Sequence, residues 1–109
     1  MSTVGRLHRR RYSLAEYLVE EDMSPKLKHE YVDGEIIAMA GGTPEHAALS
    51  MAIGIELGGQ LRAGCRVYSS DLRIWIDSAQ LGTYADAAIV CDPIARHPAA
   101  SSFVTNPVL

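Results

Sequence analysis

The sequence has no long hydrophobic run and few aromatic residues. None of its apolar stretches approaches the roughly 20 residues of a membrane-spanning helix, and the basic N-terminus is not followed by the apolar segment of a signal peptide. Aromatic residues make up only 6% of the chain, so no surface of interleaved basic and aromatic side chains is visible. We therefore expect a soluble, cytoplasmic protein that does not associate with membranes.

Cysteine is also scarce. The two cysteines, Cys65 and Cys91, lie far apart in the sequence and belong to no CxxC pair or larger cluster of metal ligands. This usage indicates neither a disulfide scaffold nor a zinc ribbon. We expect both cysteines to be reduced thiols.

Several short catalytic motifs are missing. The sequence contains no GxxxxGK[ST], GxGxxG, HExxH or GxSxG segment. Phosphate-loop, dinucleotide-binding, zincin and α/β-hydrolase functions therefore have no support.

The length and charge of the chain suggest one small domain behind a basic leader. Its 109 residues, 48% of them hydrophobic, suffice for one globular domain but not for two. The formal net charge is −3, yet four arginines precede residue 12, and the remainder carries 6 basic and 13 acidic side chains. The leader, residues 1–11, is either an arm that neutralises nucleic-acid phosphates or a solvated tail. The acidic body argues against a broad phosphate-binding face.

Two helices are predicted from their N-terminal signals. The Ser-Leu-Ala-Glu segment from Ser13 matches a capping box and predicts a helix over residues 14–21. Thr43 supplies a second N-cap, and Pro44 follows at the first helical position. A long helix is therefore predicted over residues 44–62.

The long helix is apolar on two sides. Its two apolar rows are Leu49, Ile53, Leu57 and Leu61, and Ala48, Met51, Ala52 and Ile55. A helix with this pattern is expected to be packed on both sides. One hypothesis is therefore a non-catalytic interaction or scaffold module that forms a homodimer through residues 44–62.

Asp33 and Gly34 predict a β-hairpin. Residues 29–32 and 35–39 flank this pair with apolar side chains, and an Asp-Gly pair between two such segments is a strong hairpin signal.

The second half of the chain changes to strand periodicity. The period-two pattern switches parity at residues 69–71, which predicts a bulge or tight bend. Residues 77–83 are predicted to form a turn, residues 84–91 a central strand buried on both faces, and residues 92–102 a loop. Residues 103–109 are expected to belong to a further strand that is cut short at residue 109.

Asp86 is the first candidate functional residue. An ionised carboxylate inside an apolar central strand costs several kcal/mol unless a cation or hydrogen-bond donors compensate it. A divalent metal ion would do so, since hard cations prefer carboxylate oxygens. The alternative is a strand-end aspartate that caps a neighbouring loop.

Three further residues are candidates, each with a structural alternative. Glu30 would be either a second metal ligand or a surface glutamate on an edge strand. Asp71, at the parity switch, would point toward a cleft or form an Asx turn. His46, in the first turn of the long helix, would present a ring nitrogen to a cleft or a partner subunit, or be a structural histidine.

Five segments, taken together in order and spacing, resemble the Uma family of restriction endonuclease-like proteins. They are Tyr12–Leu18 (YSLAEYL), His29–Ile36 (HEYVDGEI), Pro44–His46 (PEH), Ser70–Arg73 (SDLR) and Tyr84–Asp86 (YAD). The resemblance covers roughly residues 12–109. It implies a PD-(D/E)xK nuclease fold, a mixed sheet between helices, with an active site that holds Mg²⁺ on an aspartate and a following acid, with a lysine nearby.

The resemblance also implies roles for two residues. Asp86 matches the aspartate of the family's Pro-Asp pair, although Ala85 stands where the family usually has proline, and Glu30 matches an acid ahead of the core helix that completes the metal site. Residues 106–109 resemble the lead-in to the strand with the second acid, so the chain is expected to be C-terminally truncated.

The sequence therefore predicts an α+β, restriction-endonuclease-like fold, with residues 12–109 as the N-terminal part of the domain. The function expected from the resemblance is Mg²⁺-dependent hydrolysis of phosphodiester bonds in DNA. Because a site with Asp86 and Glu30 alone supplies too few ligands to fix the cation, the 109-residue chain is expected to be inactive by itself. Asp71 and His46 remain secondary candidates, and the protein is expected to form a homo-oligomer.

Overall fold

The structure is a computed structural model that describes residues 11–109. Its helices and strands, in chain order, are α1 (Leu14–Asp22), β1 (His29–Val32), β2 (Glu35–Ala38), α2 (Pro44–Gly58), β3 (Cys65–Tyr68), β4 (Arg73–Ile76), β5 (Leu81–Thr83), β6 (Ala88–Cys91), β7 (Arg96–His97) and β8 (Ala100–Val104). A short 3-10 helix, Asp77–Ala79, joins β4 to β5. The predicted α+β class is confirmed. The leader predicted over residues 1–11 lies outside the described residues, except for Arg11.

The two local signals near the N-terminus form as predicted. The Ser13 hydroxyl accepts a hydrogen bond from the Glu16 amide at 3.1 Å, and the Glu16 carboxylate accepts one from the Ser13 amide at 2.8 Å. In the hairpin, Asp33 and Gly34 have φ angles of 46° and 93°, which suit a tight turn between antiparallel strands. Both elements depend on neighbouring residues alone, which is why the sequence predicts them well.

The larger sheet has six strands in the order β2-β1-β5-β4-β8-β7. Only β4 and β8 pair in parallel, and the other neighbours are antiparallel. The predicted turn over residues 77–83 is partly wrong, because β5 lies between β1 and β4 inside this sheet. The predicted loop over residues 92–102 is also wrong, because it contains β7 and the start of β8. Glycine in β5 and two serines in β8 weaken the strand signal of these short segments.

The main core lies between α1 and the larger sheet. Its buried members are Tyr17, Tyr31, Trp75, Ala100 and Phe103. The rings are in direct contact, with centroids 5.4 Å apart for Tyr17 and Tyr31 and 5.7 Å apart for Trp75 and Phe103. This core therefore contains four of the seven aromatic residues of the chain, and it fixes α1 against the sheet.

A second, smaller sheet pairs β3 with β6. The predicted central strand over residues 84–91 is therefore wrong in extent and place: only residues 88–91 are extended, outside the larger sheet. On its other edge β6 meets the end of the chain, since Val90 bridges Pro107 and the Val108 amide donates to the Ile89 carbonyl at 2.8 Å. Burial of Ala88, Ile89 and Val90 explains the apolar run.

The two cysteines form a disulfide bond. Cys65 and Cys91 are directly opposite each other in the β3–β6 pair, and their sulfurs are bonded. The expectation of two reduced thiols is therefore wrong. Sequence spacing gave no sign of the bond, because only the antiparallel register brings the two residues together.

Residues 69–71 form a tight bend, which is one of the two structures predicted there, the other being a β-bulge. The Leu72 amide donates to the Ser69 carbonyl at 3.2 Å, and the Asp71 amide donates to the Ser69 hydroxyl at 3.2 Å. The bend carries the chain from β3 in the small sheet to β4 in the large one. The change in side-chain parity therefore marks a change of sheet.

Helix α2 is shorter and less buried than predicted. It ends at Gly58 rather than at residue 62, where two successive glycines lower the helical propensity. The helix packs on the small sheet at Val67, whose methyl groups lie 3.8 Å from where a Cβ would be on Gly54 and on Gly58. The predicted packing on both sides is wrong for this chain alone, because α2 has no buried residue. No helix within residues 11–109 is long and apolar enough to cross a membrane.

Candidate active-site groove

A groove of about 1190 Å³ runs along α2 and contains most of the polar candidates. Its charged and polar lining includes Lys26, Lys28, His46, Asp71, Tyr84 and Asp86. These residues come from the segment before β1, the first turn of α2, the β3–β4 bend and the segment between β5 and β6. The groove therefore lies where the two sheets and α2 meet.

His46 and Asp86 form a hydrogen-bonded pair in this groove. His46 Nε2 lies 2.9 Å from Asp86 Oδ1. The backbone of His46 is fixed by the N-cap of α2, because its amide donates to the Thr43 hydroxyl at 3.1 Å. A carboxylate at one ring nitrogen fixes the orientation of the imidazole. The other ring nitrogen remains available for proton transfer or for a ligand.

The predicted environment of Asp86 is wrong. Asp86 lies in the bend before β6, and its side chain is 66% exposed. The apolar neighbours in the sequence suggested a carboxylate buried in a strand, but the extended segment begins only at Ala88. Because Asp86 is exposed, its charge needs no buried cation to compensate it. Its hydrogen-bond partner is His46.

Asp71 lies in the same groove and binds Lys28. The Lys28 ammonium is 3.0 Å from Asp71 Oδ1 and 3.4 Å from the Ser70 hydroxyl. It also lies 5.4 Å from the centre of the Tyr84 ring, within the range of a cation–π contact. The predicted tight bend thus points Asp71 toward the groove, and the nearest positive charge there is a lysine.

Glu30 has a different neighbourhood. Its carboxylate accepts a hydrogen bond from the Thr83 hydroxyl at 2.5 Å, between the adjacent strands β1 and β5. Glu30 is not among the residues that line the groove in the described chain. Of the four candidates, His46, Asp71 and Asp86 thus line one groove, whereas Glu30 lies beside Thr83.

A buried acid that sequence analysis missed holds one side of the groove. Glu21 is 5% exposed and accepts hydrogen bonds from the His29 amide and from the Tyr84 hydroxyl, at 2.9 and 2.6 Å. His29 Nδ1 is also 2.9 Å from this carboxylate. Glu21 stands in the acidic sequence Glu-Glu-Asp at the end of α1, which resembles a solvated helix end. Its one distinguishing signal is its position four residues after the core residue Tyr17, on the same helix face.

Tyr84 connects this buried acid to the groove. Burial raises the pKa of the Tyr84 phenol, and the hydrogen bond to Glu21 acts in the same direction. Arg73 donates to the Tyr84 hydroxyl at 3.3 Å and to Asp22 at 2.8 Å. Tyr84 is therefore a neutral, firmly held side chain at neutral pH, and its ring is a fixed surface beside Lys28.

The donor set can be compared with the Mg²⁺ that the family resemblance implies. Within residues 11–109, no three His, Cys, Asp or Glu side chains lie close enough together to hold a metal ion. Asp86 is paired with His46, and Glu30 is hydrogen-bonded to Thr83. The described residues therefore do not by themselves fit a complete Mg²⁺ site.

Comparison with known proteins identifies the family. The model of the Uma2 family, described as "Putative restriction endonuclease", matches residues 13–109. The chain belongs to the Uma2 family. The resemblance deduced from the five sequence segments is thereby confirmed, and it agrees with the α+β architecture.

Two relatives of this Uma2 chain occur in Synechocystis sp. The uncharacterized protein slr1290 is 38% identical over 95 residues, covering 86% of this chain and 48% of the relative. The uncharacterized protein sll1609 is 33% identical over 98 residues, covering 87% of this chain and 54% of the relative. The chain thus spans about half the length of these curated relatives.

A solved structure supports the fold. The crystal structure of a "putative nuclease" from Anabaena variabilis matches with a TM-score of 0.57 at 19% sequence identity. The match covers 84% of this chain and 51% of the Anabaena chain. At this identity the likeness establishes a shared fold, which agrees with the α+β architecture predicted from the sequence.

Proposed function

We propose that this chain is part of a Mg²⁺-dependent DNA endonuclease that hydrolyses phosphodiester bonds. Membership of a family described as restriction endonucleases supports the substrate and the reaction class. The main structural support is the hydrogen-bonded pair of His46 and Asp86 in the groove. Asp86 is also the residue that matches the family's aspartate.

In this proposal His46 and Asp86 act on the attacking water. Hydrolysis of a phosphodiester requires that a water molecule lose a proton as it attacks phosphorus. His46 accepts that proton at the ring nitrogen that faces away from Asp86, and the Asp86 carboxylate stabilises the resulting imidazolium. Both side chains are at least half exposed, so a strand lying in the groove can reach them.

Mg²⁺, when bound, would lower the pKa of a coordinated water and offset the charge that develops on the phosphate. The family resemblance implies Asp86 and Glu30 as its ligands, with Asp71 as a secondary candidate. Of these, we propose that this chain would contribute Asp86 and Asp71, because both line the groove, whereas Glu30 lies beside Thr83 and is not part of the groove lining. Because three ligand side chains do not meet within residues 11–109, no catalytic step of this chain is routed through the cation. For the same reason we propose that the 109-residue chain alone does not cleave DNA.

A plasmid-cleavage assay on two proteins tests this function. The first is the 109-residue chain, and the second is this chain joined to the part of slr1290 that lies outside the match. With Mg²⁺ present, we expect no cleavage by the first and nicking by the second, abolished by EDTA and by Asp86→Ala. Arg62→Gln, which changes an exposed residue outside the groove lining, is the control and should leave nicking unchanged. Nicking by the fusion that persists after Asp86→Ala would contradict the site assignment.

A second candidate function is supported by the exposed face of α2. Ile55 is 70% exposed and Met51 64%, and these two apolar side chains lie about one turn apart on the same face of the helix. Exposure of several large apolar groups on one helix is typical of an interaction surface. We propose that this face forms a homodimer.

Sedimentation velocity on wild type and Ile55→Lys tests the homodimer. A lysine at this exposed position leaves the monomer fold intact but would place two like charges in a symmetric interface. We expect a concentration-dependent dimer for wild type and a monomer for the variant. A wild-type chain that sediments as a monomer at all concentrations would refute the homodimer.

A further inference from the structure

Lys28 is one of only two lysines in the chain, and its position is unusually well defined for a lysine in a groove. It has three neighbours, the Asp71 carboxylate, the Ser70 hydroxyl and the ring of Tyr84. Its side chain is 38% exposed, so the ammonium remains accessible to a ligand in the groove. A free lysine loses much rotamer entropy when it binds a ligand, and here part of that loss has already occurred on folding.

The position of Lys28 depends on the core through Tyr84. The Tyr84 hydroxyl donates to the buried carboxylate of Glu21 at 2.6 Å, and Arg73 donates to the same hydroxyl at 3.3 Å. These two contacts fix the ring over which the Lys28 ammonium lies. The Lys28 ammonium thus lies beside a rigid ring and is still accessible from the groove.

The contact between Lys28 and Asp71 is easily exchanged. The Asp71 side chain is 84% exposed, and an ion pair with a solvated partner is weak. A phosphate oxygen that enters the groove can replace Asp71 as the acceptor, and the ammonium does not need to move far. His46 and Asp86 line the same groove, so a phosphate near Lys28 belongs to the strand presented to that pair.

We propose that Lys28 is a phosphate-anchoring residue, which binds a phosphodiester of a nucleic-acid strand lying in the α2 groove. This inference rests on the proposed nuclease function and adds to it a specific contact to the substrate backbone. One well-positioned lysine also agrees with the acidic composition of residues 12–109, which provides no broad basic surface for phosphate binding. The contact is to phosphate, so it is independent of base sequence.

The matched control is Lys26. It lines the same groove and carries the same charge, but it is exposed, and it lies two residues before Lys28 in the chain. If the groove attracts nucleic acid only through its general charge, Lys26→Gln and Lys28→Gln will have equal effects. If Lys28 is a specific anchor, its substitution alone will remove one phosphate contact.

Fluorescence anisotropy with a labelled duplex, measured from low to high salt, gives the size of the effect. Each phosphate contact contributes about 0.9 to the slope of log K against log salt. Loss of one contact therefore lowers affinity by about eightfold at roughly 0.1 M salt, and the loss disappears near 1 M. We expect this result for Lys28→Gln and less than about a twofold change for Lys26→Gln, with thermal melts to confirm that both variants are folded.

A second probe separates this inference from the nuclease proposal. Inorganic phosphate is titrated into wild-type protein whose lysine amines carry ¹³C-methyl labels, and the two side chains are assigned with the two variants. Duplex binding with equal effects of the two substitutions overturns the anchor and leaves the nuclease proposal standing. Selective perturbation of Lys28 by phosphate without duplex binding supports the anchor and contradicts DNA as the substrate. If neither probe binds, the anchor is overturned as well.

Discussion

Gly82 is the position where the structure allows the sharpest prediction about stability. It lies in β5, between β1 and β4, and its face is covered by the buried ring of Phe103. A Cβ placed on Gly82 would be 2.9 Å from two carbons of that ring and 3.5 Å from the Cβ of Tyr31. Real Cβ atoms do not approach other carbons this closely, so the Gly82→Ala variant must displace the ring.

The expected cost follows from overpacking. Phe103 is fully buried among other rings, so it cannot move into solvent, and insertion of one methyl group into such a core costs about 1–3 kcal/mol. Alanine also reduces the entropy of the unfolded chain, which stabilises by about 0.4–1 kcal/mol. We therefore expect Gly82→Ala to lower the free energy of unfolding by about 0–2.6 kcal/mol, with a fall in Tm of roughly 4 °C per kcal/mol. An alanine without overpacking would be about 1–3 kcal/mol more stable than this variant.

Gly41→Ala is the matched control. Apart from its two neighbours in the chain, no residue within 11–109 has an atom closer than 4 Å to the position where its Cβ would be. The same chemical change should therefore be neutral or slightly stabilising at Gly41. Urea unfolding followed by circular dichroism measures both variants, and equal stabilities for the two would refute the close approach of Phe103 to β5. In the background of Phe103→Leu, the cost of Gly82→Ala should shrink, because the smaller side chain leaves room for the methyl group.

Three further predictions follow from the contacts. The raised pKa of Tyr84 means that the folded protein keeps this proton to a higher pH than the unfolded chain does. The stability that this group contributes is therefore full below about pH 10 and is lost as pH rises through the folded pKa. Because burial also raises the pKa of Tyr17 and of Tyr31, ultraviolet titration should show several late-ionising tyrosines, and Tyr84→Phe should reduce their number by one. The same variant leaves the buried Glu21 carboxylate with one donor fewer and should cost about 1–3 kcal/mol in urea unfolding, and an unchanged midpoint would contradict the hydrogen bond. Reduction of the Cys65–Cys91 bond should lower the free energy of unfolding by about 3–4 kcal/mol for a loop of this length, and thiol titration of the unreduced, unfolded protein should find no free thiol.

The elements that the sequence predicts well are those whose causes are local. The capping box of α1 and the Asp-Gly turn act over three or four residues, and both occur where predicted. The fold class follows from them and from the resemblance to the Uma family. Pairing between distant segments has no such local cause. This is why β5, which has a glycine between two ordinary strand residues, was predicted as a turn although two neighbouring strands hold it in the sheet.

The same contrast applies to the candidate site. Asp86 was singled out because its sequence neighbours are apolar, yet the structure leaves it exposed and gives it a partner from another element, His46. His46 was itself a candidate, but nothing in the sequence joined the two residues. The disulfide could not be predicted for the same reason, because only the register of β3 against β6 brings Cys65 and Cys91 together.

The placement of the two acids, Asp86 and Glu21, suggests how the groove is built. The exposed acid, Asp86, faces the groove and pairs with a histidine, whereas the buried acid, Glu21, faces the core and accepts three hydrogen bonds from β1 and Tyr84. Burial of a carboxylate is costly unless its oxygens accept hydrogen bonds. The hydrogen bonds to Glu21 therefore hold His29 and Tyr84 in place. Tyr84 is fixed in this way two residues before Asp86, in a segment that belongs to no strand. The buried acid therefore anchors the segment that carries the exposed one, so the loss of Glu21 should disturb the groove as well as the core.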